Sequence, residues 1–310
     1  MIETADGRPQ GGWLLQLLMV ITRCGRILPP QLAWWLGSVL GHAYALCARR
    51  DPKRTQAHLR RAWPDRDPAW IERCTRNCFR HFGGMALWNL ATLHIDPRVL
   101  RRRLGVVGGD HLRATVRACR RGEGTLICCG HIGNWELLGR CCGTLFPAHV
   151  LAKRQRHPDI EAFIRWLRTA HGNRQIYQDQ GLAACARPLR QGHVVATLPD
   201  QDIRRLQGCF VPWFGHPAYT PVGPAALAQM TRCPIQMIHC VRIAERWVVV
   251  AGPRLHMHHG PDRHANILAM TAAATADLER IVRRHPQQWA WWHKRWRTTI
   301  EQRPEALRMG

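Results

Sequence analysis

His131 and Glu136 lie five residues apart, a spacing that serves acid–base chemistry only if a turn comes between them. The surrounding stretch reads Gly124-Thr-Leu-Ile-Cys-Cys-Gly-His131-Ile-Gly-Asn-Trp-Glu136-Leu-Leu-Gly139. An apolar run at residues 125–129, closed by Gly130, delivers the histidine just ahead of a helix-like segment, so the local order is strand, tight turn, helix. Inside one helix a spacing of five leaves two side chains poorly aligned. With the histidine outside the helix, the carboxylate can fold back to it, and the pair becomes a general base with its orienter. The carboxyl end of a strand is also where open α/β sheets place their chemistry, and the amides that open a helix can meet an anion. Spacing alone describes a surface histidine and an unrelated glutamate just as readily, so support has to come from elsewhere in the chain.

A second apolar run, residues 194–198, ends in Pro199-Asp200-Gln201-Asp202 and puts carboxylates at another strand's carboxyl end. Beyond it, residues 208–215 form an apolar loop rich in Gly, Pro and aromatics, followed by Thr220-Pro221 opening a helix. Such a loop either lines a pocket, dips toward lipid, or tucks into the core as a structural element. Arg168, late in a helix expected from Pro158, is of the type that forks a phosphate. His256, His258, His259 and His264 are crowded, but lack matched carboxylates or cysteines and read as a solvated loop.

The elements that position these residues follow from apolar periodicity. Strands are expected at residues 105–107, 125–129, 149–152, 174–177, 194–198, 235–242 and 247–251. Helices are expected at 110–121, 135–144, 158–171 and 181–191. This alternation predicts an α/β fold with a mainly parallel sheet flanked by helices. Asp67-Pro68 reads as a helix cap followed by proline at the first helical position, and Ile71, Cys74, Cys78, Phe82 and Met85 recur at helical spacing behind it. Upstream, residues 32–48 are 17 positions without Asp, Glu, Lys or Arg, either a borderline membrane span, a hairpin lying in the interface or a buried helix. Arg49, Arg50, Lys53, Arg54, Arg60 and Arg61 follow, the placement of cations that marks the cytoplasmic side of a membrane. Residues 1–65 are therefore expected as a membrane-associating helical segment, and 66–310 as the α/β domain. Glu3 and Asp6 fall where a cleaved signal needs a basic region, so none is expected.

With 310 residues the chain can bury a full core. Its 45 Lys and Arg against 21 Asp and Glu give a formal charge of +24, a field that attracts nucleic acid, anionic headgroups or an acidic carrier protein. Fourteen Trp beside so many Arg favour a water–lipid boundary. The 13 Cys include no Cys-x-x-Cys, and their apolar settings predict small buried hydrophobes in a reducing compartment.

Taken with further segments, the His-x4-Glu stretch resembles the bacterial lipid A biosynthesis acyltransferases, the late enzymes that add lauroyl or myristoyl chains. Those segments are Leu59-Arg-Arg-Ala-Trp-Pro64, the His81-Phe82 helix, Pro199-Asp200-Gln201-Asp202, Phe210-Val-Pro-Trp-Phe-Gly215 and Pro286-Gln-Gln-Trp-Ala-Trp-Trp-His-Lys-Arg-Trp296. The resemblance implies a fold similar to glycerol-phosphate acyltransferases. It implies transfer of a fatty acyl group from acyl carrier protein, or from coenzyme A, to a hydroxyl of a lipid A precursor at the cytoplasmic face of the bacterial inner membrane. By motif, His131 is then the base and Glu136 its orienter, Asn134 and nearby amides support the oxyanion, and Arg168 and Asp200 support the substrate, Arg168 on an acceptor phosphate. No metal or cofactor is expected, because a thioester is already activated. The aromatic and basic residues from Trp289 to Arg297 are expected at a membrane-facing rim. The resemblance also covers acylation of another polar lipid, such as a lysophospholipid, an aminolipid or a mannosylated inositol lipid. A basic protein held on nucleic acid or anionic membrane without catalysis is the competing reading, and it has no use for the His131 and Glu136 pair.

Overall fold

The computed structural model describes residues 11–307; Glu3 and Asp6, on which the reading of the amino terminus rests, lie outside them. In chain order the helices are α1 (Trp13–Gly25), α2 (Pro30–Cys47), α3 (Arg50–Ala62), α4 (Pro68–Ala91), α5 (Pro97–Arg102), α6 (Gly109–Arg120), α7 (Trp135–Gly143), α8 (Pro158–Thr169), α9 (Gly181–Arg190), α10 (Gly223–Thr231) and α11 (Arg263–Arg284). The strands are β1 (Gly105–Val107), β2 (Thr125–Cys128), β3 (Ala148–Ala152), β4 (Arg174–Tyr177), β5 (Val194–Thr197), β6 (Gly208–Trp213), β7 (His216–Pro221), β8 (Ile235–Ile243) and β9 (Arg246–Leu255).

Seven strands form one sheet in the order β1-β9-β8-β2-β5-β3-β4, parallel from β8 to β4. The β8–β9 pair is antiparallel, and β1 runs with β9. The mainly parallel sheet expected from the alternation is thus present. Central β2 is buried at every position, as a strand covered on both faces by helices must be.

The apolar stretch at 208–221 departs from expectation. It is no loop but the hairpin β6–β7, turning through Phe214 and Gly215, which both have positive φ (52° and 77°). Two left-handed residues in a two-residue connection suit strand twist, and Gly215 adopts that conformation freely. Pro221 ends β7, and α10 begins only at Gly223. Phe214 is held in place by Trp63, Trp213 and Trp291 around its ring. The hairpin is a tucked structural element.

Asp67 caps α4 by accepting from the Trp70 amide, with Pro68 next. Ile71, Cys74, Cys78, Phe82 and Met85 all point inward from this helix. Against its other side lies α2, approached so closely that a β-carbon on Gly37 would stand 2.2 Å from the Gly83 carbonyl, and one on Gly41 2.1 Å from that of Phe79. Small residues at a helix crossing permit that backbone contact. The Asp159 carboxylate on α8 accepts from the amides of Gly12 and Leu15 at the head of α1. Arg54 and His58 on α3 donate to the carbonyls of Trp292 and Trp291. The first three helices are thereby packed onto the α/β body. Among the described residues no helix is long and apolar enough to cross a membrane. All 13 cysteines are free, and ten are buried.

Candidate functional site

Strands β2 and β5 are parallel neighbours, with Cys128 opposite Thr197. Three residues beyond each member of that pair stand His131 and Asp200, so sheet register alone brings them to one height above the sheet. Asp200 Oδ1 is 2.7 Å from His131 Nδ1, and its Oδ2 accepts from the His131 amide at 2.7 Å. Trp289 Nε1 donates to the same Oδ2 at 2.8 Å. The carboxylate has no exposed surface, whereas the imidazole is about one-fifth exposed. Burial works to raise the Asp200 carboxyl, but the His131 ring and amide, with His293 nearby, outweigh it and hold the group well below the usual carboxylate range. A carboxylate that stays ionised can only accept, so the proton between them resides on Nδ1, and His131 Nε2 presents a lone pair.

The turn carrying His131 is fixed on three sides. A β-carbon on Gly130 would clash with Leu278 and crowd Asp200. At Gly133 φ is +59°, and an added β-carbon would lie 1.9 Å from the Cys240 carbonyl. The Gly133 amide donates to Gln288, the Ala290 amide to the His131 carbonyl, and the Asn134 amide to Cys240. From α4, His81 reaches the Gly133 carbonyl at 3.4 Å. The segment after α11 thus straps the histidine turn from above, while β8 and α4 brace it from behind.

Glu136 makes no hydrogen bond to His131 in the structure. It stands in the first turn of α7, where its carboxylate takes Arg168 Nη2 at 2.8 Å and Trp135 Nε1 at 3.1 Å. Burial tends to raise its carboxyl, but Arg168 pulls it below the ordinary value. This corrects the role expected from the five-residue spacing. His131 is claimed by a carboxylate on the neighbouring strand, and Glu136 by a guanidinium at the end of α8. Arg168 turns its Nη2 and Nε toward Glu136.

Asn134 is a second correction. Its side-chain oxygen caps α7 through the Leu137 amide and accepts from Asn89, to which its nitrogen donates in return at 3.1 Å. It is fully buried, and of its two amide hydrogens one is held by Asn89. The head of α7 adds backbone amides without intrahelical partners. The Trp289–Arg297 cluster is a third. Trp289, Trp291 and Arg295 are at most 1% exposed, and Arg295 is spent on the Tyr219 carbonyl and the Thr220 hydroxyl. Trp289, Trp291 and Arg295 are therefore core and site wall, while Lys294 is exposed and Trp292, Trp296 and Arg297 are partly so.

Sequence reasoning missed Gln201 as a site residue, though it lay inside a quoted motif, and missed His293. Gln201 Nε2 lies 3.2 Å from His131 Nε2 and 3.4 Å from His293 Nε2. The His293 and His131 rings meet edge to face at 4.7 Å, and Trp135 sets its edge against His131 at 5.2 Å. Burial pushes His293 down to about 4, so at neutral pH it is uncharged. Asp202 holds the Thr298 amide and hydroxyl at 2.6 and 2.7 Å, which ties the far end of the strap to the Asp200 loop. Among the described residues no three His, Cys, Asp or Glu gather as a metal site, the histidines from His256 to His264 included.

A family model described as bacterial lipid A biosynthesis acyltransferase matches residues 8–298. The lipid A biosynthesis palmitoleoyltransferase of Escherichia coli is 25% identical over 278 residues, 87% of each chain. The lauroyltransferase of the same organism is 26% identical over 285 residues, 90% of this chain and 89% of that one. The phosphatidylinositol mannoside acyltransferase of Mycobacterium tuberculosis is 27% identical over 224 residues, covering 68% of this chain. That match spans 66% of the mycobacterial protein, just under two thirds of its length.

Proposed function

Because the chain belongs to the bacterial lipid A biosynthesis acyltransferase family, we propose that it moves a fatty acyl chain from the thioester of acyl carrier protein to a hydroxyl of a lipid A precursor. The observation that carries the proposal is the His131 imidazole, fixed through Nδ1 by ionised Asp200, which leaves the lone pair on Nε2, where the Gln201 amide meets it. The acceptor's O–H gives its proton to that nitrogen as the oxygen attacks the thioester carbonyl. Negative charge collects on the carbonyl oxygen, where the free amides at the head of α7 and the positive end of its dipole stabilise it. Collapse breaks the carbon–sulfur bond, and His131 returns the proton to the departing thiolate. Asp200 stays ionised throughout and stabilises the intervening imidazolium. A thioester carries its own leaving group, so each step is completed by these residues. Arg168, with Nη1 outside its pair with Glu136, is the group we assign to an acceptor phosphate.

The same reading places the chain on the cytoplasmic face of the inner membrane. Trp13, Leu17, Trp35, Leu40, Tyr44 and Leu46 are exposed on α1 and α2, and Arg49, Arg50, Lys53, Arg60 and Arg61 are exposed directly after them. An apolar face beside a basic one suits an anionic lipid surface. The basic surface also speeds the approach of an acidic carrier protein. A glycerol-phosphate-acyltransferase-like architecture is part of this proposal.

Mass spectrometry of lipid A from cells with and without the chain tests the acceptor and acyl length together. Expected is one acyl chain gained only when the chain is present. A second reading, acylation of another polar lipid such as a mannosylated inositol lipid, is favoured by the similarity to the mycobacterial protein. It is chosen if lipid A is unchanged and the polar lipid fraction gains the acyl group.

A further inference from the structure

Gln201 stands where the chemistry proposed above needs an open place. An amide nitrogen has two hydrogens and no lone pair, and it points at two ring nitrogens at once: His131 Nε2 at 3.2 Å and His293 Nε2 at 3.4 Å. With the proton of His131 on Nδ1 toward Asp200, Nε2 accepts; His293 Nε2 accepts likewise in the tautomer that carries its proton on Nδ1, an atom that is buried and without a hydrogen-bond partner. The reverse setting, with the amide oxygen facing both nitrogens, would oppose lone pair to lone pair. In this state the base is therefore already hydrogen-bonded and closed to an incoming O–H. Gln201 is anchored by its loop neighbours on either side: Asp200 in the His131 pair and Asp202 through Thr298. Its own side chain is only partly buried.

We propose that Gln201 is a latch and a positioning residue: in the substrate-free enzyme its amide occupies the place of the acceptor hydroxyl on His131, and on binding it turns to donate to that hydroxyl's oxygen. His293 is its second hold, taking the amide hydrogen that does not face His131. The inference rests on the acyl-transfer reading. Two consequences separate it from a merely structural role. With the latch closed, water is kept off Nε2, which protects a bound thioester from hydrolysis. In that side reaction water loses its proton to His131, its oxygen bonds to the acyl carbon, the carbon–sulfur bond breaks and the thiolate recovers the proton. With acceptor bound, the amide hydrogen fixes the attacking oxygen.

Substituting Gln201→Met keeps length and removes the hydrogens; His293→Leu removes the second hold. The assay uses lauroyl–acyl carrier protein, with and without the lipid A precursor, and the full chain in vesicles. For Gln201→Met the expected result is thioester hydrolysis without acceptor rising at least about threefold, while transfer to acceptor falls about tenfold, the weight of one hydrogen bond. His293→Leu moves both rates the same way by less. Any result in which the two rates do not move in opposite directions overturns the proposal. A wild-type chain that neither hydrolyses nor transfers overturns the acyl-transfer reading itself, so the two failures are distinct.

Discussion

Replacing Glu136 by glutamine removes the charge that Arg168 faces and leaves the Asp200–His131 bond untouched. We therefore expect Glu136→Gln to raise the acceptor KM more than it lowers kcat, by roughly tenfold, the usual weight of an ion pair of middling burial. Steady-state transfer at varied acceptor concentration checks this split. The reason the sequence names the wrong orienter is physical. Glu136 is the carboxylate nearest in sequence, whereas Asp200 is 69 residues away and becomes a neighbour only because β2 and β5 pair in register. Asn134 misleads for a similar reason, since an asparagine just before a helix is first of all a cap. His293 and Trp289 come from the far end of the chain, and no local pattern marks them as partners of His131.

Elements were more legible than contacts. Each strand of the large sheet falls within a few residues of its apolar run, most closely at central β2 and β5, which as buried parallel strands read as continuous hydrophobic stretches. The β6–β7 hairpin escaped, since Pro212, Pro217 and the glycines at its ends and turn are residues that ordinarily mark loops. Hydropathy leaves residues 32–48 open between a span, an interfacial hairpin and a buried helix, whereas Gly37 and Gly41 are what lets α2 meet α4 at backbone distance. Gly41→Val therefore drives a side chain into the Phe79 carbonyl and should destabilise the protein by about 3 kcal/mol or more. Thermal melting of the variant measures it, and a melting temperature equal to wild type contradicts the packing described.

For the molecule as a whole, charge and buried histidines make separate predictions. Burial lowers His58, His171 and His293 to about 4 and His81 to about 3. A histidine whose folded pKa lies below its unfolded value near 6.5 binds its proton preferentially when unfolded. Stability is therefore complete above about pH 6.5 and declines as pH falls toward 4, by up to about 1.4 kcal/mol per pH unit for each such histidine. Denaturation midpoints at pH 7.5 and 5.0 should differ accordingly, with the protein weaker at the lower pH. The +24 charge and the exposed apolar face of α1 and α2 predict recovery on anionic vesicles. Charged substitutions at Trp35 and Leu40 should abolish that recovery, and high salt should weaken it. Composition made this surface legible, but it wrongly extended it to Trp289 and Arg295, which the fold buries.

The central claim is that His131 acts as a base because Asp200 fixes its tautomer. Asp200→Asn retains shape and can still meet the Trp289 strap, but its amide favours the opposite tautomer and withdraws the lone pair from Nε2. The measurement is kcat for transfer from lauroyl–acyl carrier protein to the lipid A precursor by the folded Asp200→Asn chain. A fall of at least about a hundredfold is predicted. A kcat within about threefold of wild type would contradict the account.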